Sequence, residues 1–162
     1  MPPYFLSIKP EIIIRTSLIV GFPGESEEDF SMLVDFVERY EFDRLGAFTY
    51  SREDDTPAAK FRQQIPKRVK QKRYNTIMGL QKQINFDKNN ERLNRIYDTI
   101  VEGVAEDGIF YFGRTYAEAP EIDGAVYFTS CEPLEAGQIV KIKILDVSHY
   151  DLIGEVLNES AQ

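Results

Sequence analysis

Four carboxylates, Glu25, Glu27, Glu28 and Asp29, follow directly on the corner Gly21-Phe22-Pro23-Gly24. Paired acids beside a glycine-rich turn are the material of general acid/base catalysis, and glycines let a backbone approach a flat or anionic group. The neighbours assign the acids a simpler part. Ser26 is a good helix N-cap with Asp29 three residues on, so the carboxylates read as favourable charges at a helix start, and none is taken as a catalytic acid or base. The corner lacks the Gly-Lys-Ser/Thr of a phosphate loop and the Gly-x-Gly-x-x-Gly of a dinucleotide site. Spacing alone therefore leaves open a ligand-facing turn and a tight turn with nothing bound. The single cysteine, Cys131, excludes an internal disulfide and supplies too few ligands for a zinc or iron-sulfur site. His149, the one histidine, stands beside Tyr150 and Asp151 and reads as a solvated turn residue. No catalytic or metal-ligating residue is assigned.

The elements that position this corner come from the patterning around it. Residues 11–20, EIIIRTSLIV, are β-branched and almost continuously apolar, the mark of a strand buried on both faces of a parallel sheet. Phe30, Leu33, Val34 and Val37 recur at i, i+3, i+4 and i+7, which predicts an amphipathic helix after Ser26. Residues 42–51, FDRLGAFTYS, read as a second strand, so 11–51 is one strand–helix–strand unit, parallel and right-handed. A strand end leading through glycine into a helix is where α/β sheets bind ligands. Residues 52–66 carry turn formers and two prolines and read as a surface loop with a short helical piece. From Pro66 a helix runs to about Asn89-Asn90.

Beyond Asn94 five short β-rich runs follow, RIYDTIVEGVA, GIFYFGRTY, GAVYFTS, QIVKIKILDVSHY and DLIGEVL, with turn signals at Asp107-Gly108, Asp123-Gly124 and Glu135-Ala136-Gly137. They predict a small antiparallel barrel. Val140, Ile142 and Ile144 alternate with Lys141 and Lys143, and Phe110, Tyr111 and Phe112 alternate across another strand with at least one ring outward.

The 162 residues, 43% hydrophobic, suffice for one mid-sized domain or two small ones. No apolar stretch approaches the roughly 20 residues of a membrane span, and the start MPPYFLSIKP lacks a secretion signal, so a cytoplasmic chain is expected. The net charge of −8 is unevenly spread. Residues 1–66 hold 7 basic against 12 acidic, 67–92 hold 8 against 2, and 95–162 hold 4 against 13. The sign changes divide the chain into 1–66, a connecting basic helix 67–92, and 93–162. Small barrels that bind RNA need Lys and Arg, and this one repels phosphate; RNA binding by the barrel is not expected, and a basic partner is. Glu118, Glu121 and Asp123, together in the single loop TYAEAPEIDGA, are the candidate docking residues. The basic helix reads either as a nucleic-acid contact or as a complement to acidic neighbours.

IIIRTSLIVGFPGESEEDF, FDRLGAFTYSREDDTPAA and GRTYAEAPEIDGAVYF, in this order, resemble the C-terminal portion of the radical S-adenosylmethionine methylthiotransferases, in the RimO branch that modifies an aspartate of a small-subunit ribosomal protein. The resemblance runs from about Ile8 to Leu157. The family's Asp-Ala-Pro-Glu-Ile-Asp-Gly string appears as residues 118–124 with Glu118 replacing the first Asp, which keeps the charge. It implies an α/β fragment of a radical-SAM β/α barrel followed by an all-β, five-stranded antiparallel TRAM barrel of OB-like form. It further implies that Ile19, Gly21, Phe22 and Gly24 lie near the adenine of S-adenosylmethionine, which suits apolar contact and close backbone approach. Intact members use S-adenosylmethionine and two [4Fe-4S] clusters. The Cys-x-x-x-Cys-x-x-Cys site and the amino-terminal cysteines are missing here, so the chain alone is expected to hold no cofactor, to be inactive, and to be a fragment with MPPYFLS as a foreign leader or altered start. Barrel strands without neighbours predict self-association through exposed edges and poor order in 1–60. The implied partner is a basic small-subunit ribosomal protein; the alternatives are a non-enzymatic binding module for a cationic protein and a tRNA-modifying relative using the basic helix.

Overall fold

The computed structural model describes residues 12–157. MPPYFLS and the start of the family resemblance at Ile8 lie outside the described residues. The chain divides into two compact units, up to Ile84 and from Asn85.

The first unit begins with β1 (Arg15–Val20) and α1 (Glu27–Tyr40), continues with β2 (Arg44–Thr49), and passes through a 3-10 turn (Ala58–Lys60) into α2 (Lys67–Asn90). β1 and β2 pair in parallel, with Ile19 opposite Phe48 and Val20 opposite Thr49. The N-cap is formed as the sequence predicts: Asp29 N–H donates to Ser26 Oγ at 3.0 Å, and Ser26 N–H donates back to an Asp29 oxygen at 2.8 Å. The Ser26 hydroxyl also donates to the Asp29 carboxylate at 2.7 Å, and this bond first, then the one from the Ser26 backbone N–H, holds Asp29 below the usual carboxylate range. Val20, Val37, Phe42, Leu45, Ala47, Ile77 and Ile84 form the core.

The expected double-sided burial of the first strand is corrected. Val20 is buried and Thr16 and Leu18 half-buried, whereas Arg15, Ser17 and Ile19 are exposed. β2 alternates in phase, with Leu45 and Ala47 buried and Phe48 exposed. Residues of α1 and α2 cover one face of the two strands, and no layer among the described residues covers the other. An unbroken apolar run reads the same with one cover or two.

The second unit has β3 (Ile96–Val104), β4 (Tyr111–Arg114), β5 (Val126–Thr129), β6 (Ile139–Val147) and β7 (Leu152–Val156), closed in the order β3-β4-β5-β7-β6. Val101, Val126, Phe128, Ile142, Ile144 and Leu152 fill it. Ile142 and Ile144 point inward as their alternation predicts, and Tyr111 packs on the core while its neighbour Phe112 lies opposite Tyr127. The barrel is mixed rather than wholly antiparallel, because β5 and β7 pair in parallel. Counting strands makes this unavoidable. Directions that alternate around a closed ring need an even number of strands, so five strands must leave one parallel seam.

Candidate functional site

The corner after β1 is built by glycines and locked by a distant arginine. Gly21 and Gly24 have φ of +73° and +90°, the left-handed region that side chains rarely adopt. The Glu25 carboxylate turns back over the corner and accepts the N–H groups of Gly21 at 2.8 Å and Phe22 at 3.3 Å. Arg73 of α2, 4% exposed, reaches the other Glu25 oxygen, the backbone oxygens of Glu25 and Ser26 at 3.1 and 3.2 Å, and Glu27 at 2.7 Å. Burial works against the Arg73 charge, and its bonds to Glu27 and Glu25 outweigh that and raise its pKa above the ordinary value. Successive backbone N–H groups make a cradle for anions. Here the protein's own carboxylate fills it.

What the corner presents outward is apolar. Ile19 and Phe48, paired across the strands, are each 59% exposed, and Phe22 is 42% exposed with its ring edge-on to Tyr50 at 5.3 Å and to Phe61 at 6.2 Å. A Cβ on Gly21 would collide with Lys70 Cγ, and one on Gly24 would lie 3.1 Å from Gln63 Oε1. The close approaches that these glycines permit are thus made by the chain itself. Phe48 escaped the sequence reading, although its alternation with Leu45 and Ala47 carried the signal. Arg73 was read only as part of a basic helix; nothing local pairs it with Glu25, 48 residues away.

The three loop acids separate. Glu118 is 5% exposed and faces inward: Arg92 Nη1 donates to it at 2.6 Å and Thr115 N–H at 2.9 Å, with the Thr115 hydroxyl also donating. Burial pushes its carboxyl up, and the Arg92 charge and the bonds from Arg92 and Thr115 more than reverse this, leaving it below its ordinary value. Asp123 is half-buried and accepts Ala119 N–H at 2.6 Å. Glu121, with φ of +61°, and Ile122, 79% exposed, form the open tip. Glu118 thus holds the loop, and Glu121 with the edge of Asp123 is what the loop offers to solvent.

His149 is half-buried against Phe86, ring centroids 5.0 Å apart, rather than free in solvent. Cys131 is exposed. Among the described residues no group of three or more His, Cys, Asp or Glu is placed to hold a metal ion, and no helix is long and apolar enough to cross a membrane.

A strand–helix–strand unit followed by a closed five-stranded barrel defines an α/β protein with an appended small β domain, and the family described as TRAM domain matches residues 95–157, the barrel itself. The chain is 64% identical over 153 residues to the ribosomal protein uS12 methylthiotransferase RimO of Acetivibrio thermocellus, covering 94% of this chain and 34% of that protein. It is 48% identical over 152 residues to the protein of the same name from Clostridioides difficile, and 50% over 149 residues to that of Desulforamulus reducens. Nearly the whole chain is thus similar to part of the RimO methylthiotransferases, and its barrel to the TRAM domain. It spans about a third of the length of the curated relatives it matches.

Proposed function

We propose that this chain works as the C-terminal part of a ribosomal protein methylthiotransferase, its first unit belonging to the substrate-activating β/α barrel and its acidic β barrel docking a basic protein, uS12. The observation that carries this reading is the 64% identity to a uS12 methylthiotransferase over 94% of the chain. A ribosomal partner puts the work in the cytoplasm. The barrel's charge, 4 basic against 13 acidic residues over 95–162, supports a cationic partner over a nucleic acid.

A [4Fe-4S] cluster is held by several thiolates, and a sequence with one cysteine does not fit one. The chain alone is not expected to carry out the transfer. S-adenosylmethionine fits better. When bound in the whole enzyme it supplies the radical chemistry. The open sheet face offers Ile19 and Phe48 side by side with Phe22 at the corner, a surface suited to one side of a purine. The N–H groups of Gly21 and Phe22 are committed to Glu25, so the corner's part is apolar contact and shape, with Arg73 and Glu25 holding it rigid.

Titration calorimetry of the chain against uS12 tests the docking. The double variant Glu121→Lys/Asp123→Lys is expected to weaken binding about tenfold and to flatten its salt dependence, since charged groups at a rim act through screened attraction. Unchanged affinity would remove the loop from the interface.

A further inference from the structure

From Thr56 to Phe86 the chain holds eight lysines and arginines and no aspartate or glutamate, in a protein with 27 acidic and 19 basic residues. Part of that charge is spent internally: Lys70 Nζ donates to Tyr50 O at 2.8 Å and lies over the Tyr50 ring, and Arg73 is buried against Glu25 and Glu27. The remainder is arranged differently. At about 100° per residue, Arg68, Gln71, Lys72, Asn75, Gly79 and Lys82 fall in one sector of α2. All six are exposed, and the sector lies opposite the buried Arg73, Ile77, Gln81 and Ile84. No carboxylate of α2 shares it; Glu27 of α1 lines an adjoining pocket with Arg68 and Lys72 and is paired with Arg73. A shallow open depression on this face is lined by Arg68, Gln71, Lys72, Asn75 and Thr76.

Gly79 stands in the middle of the sector. Glycine is among the poorest helix formers, yet a Cβ here would meet nothing within 4 Å, so packing inside the chain does not call for it. Its effect is to leave a bare patch of backbone between cations, where a bulky strand can come close.

We infer that this face of α2 binds the sugar–phosphate backbone of RNA. Three cations and two amides over about 21 Å of helix match a run of phosphates and ribose hydroxyls. The excess of cations on the face favours a polyanion over a basic protein as the occupant. A membrane surface would need apolar side chains on the exposed side, and those of α2 point into the core. The acidic barrel and the basic helix would then take opposite partners, a cationic protein and the RNA beside which a ribosomal protein resides. The inference stands on the helix alone, whatever the barrel binds.

The test is fluorescence anisotropy of the full chain with a labelled oligouridine of about 20 nucleotides, across a salt series. Three neutralised phosphates predict a slope of log affinity on log salt of about −2. Arg68→Glu/Lys72→Glu/Lys82→Glu is expected to lower affinity at least tenfold and bring the slope close to zero. Gly79→Gln should raise the melting temperature, because glutamine is a better helix former, and still weaken RNA binding several-fold. That pairing separates lost contact from lost folding. No binding at low salt, binding untouched by the triple variant, or equally tight binding of polyglutamate would each overturn the inference. None of these results bears on uS12 capture, which is read with Glu121→Lys/Asp123→Lys.

Discussion

Removing the Glu118 carboxylate tests whether this acid holds the barrel loop together. In Glu118→Gln the Arg92 guanidinium, its side chain 12% exposed, loses its ion pair at 2.6 Å, and the amide NH2 is forced toward the same donors. Thr115 N–H and hydroxyl lose a charged acceptor as well. Breaking one side of a buried pair costs about 3–5 kcal/mol. A unit the size of Asn85–Gln162 has on the order of 4–12 kcal/mol in all. The variant should therefore lose a large share of the barrel's stability, a melting shift of about 12–25 °C at the lower figure. Hydrogen exchange on barrel peptides during urea unfolding reads this unit apart from the first. Arg92→Met/Glu118→Leu, which removes both charges, should recover only part of the loss, because the buried Thr115 N–H is left without its acceptor. The pH dependence has a definite sign. Because the folded carboxyl lies below its ordinary 4.5, its stabilisation is present above that value and is lost as pH falls through the lowered one. Wild type should weaken there while Glu118→Gln stays flat in that window. A Glu118→Gln barrel as stable as wild type, or a double variant worse than either single one, would refute the reasoning.

Gly21→Ala should destabilise the first unit by about 1–3 kcal/mol, from a left-handed φ and a collision with the Lys70 stem, measured as faster exchange in β1 and α1 with the barrel unchanged. The open face of the β1–β2 sheet, with Ile19 and Phe48 bare, should drive concentration-dependent association; light scattering should show Ile19→Ser/Phe48→Ser shifting it toward monomer at equal concentration.

Local physics was legible from residue order alone. The 3.6-residue spacing of Phe30, Leu33, Val34 and Val37, with Ser26 and Asp29 at its start, sufficed for α1 and its capping box, because a helix and its cap are made by residues within four positions of each other. Alternation sufficed for β6, glycines and turn formers for the breaks between strands, and charge counting for the contrast between helix and barrel. The resemblance motifs lay in the same readable class, being short strings in order. Tertiary structure alone decided what depends on partners far along the chain. Arg73 and Glu25 meet across 48 positions, and Arg92 and Glu118 across 26, so neither network has a local signature. Whether β1 is covered on one face or two depends on how many layers the chain supplies, which its apolar run does not encode. Closing five strands forces a parallel seam, and its place between β5 and β7 is settled by the order in which the strands come to lie side by side. Three acids in one loop look alike in sequence; burial beside Arg92 turns one of them inward and leaves another at the tip.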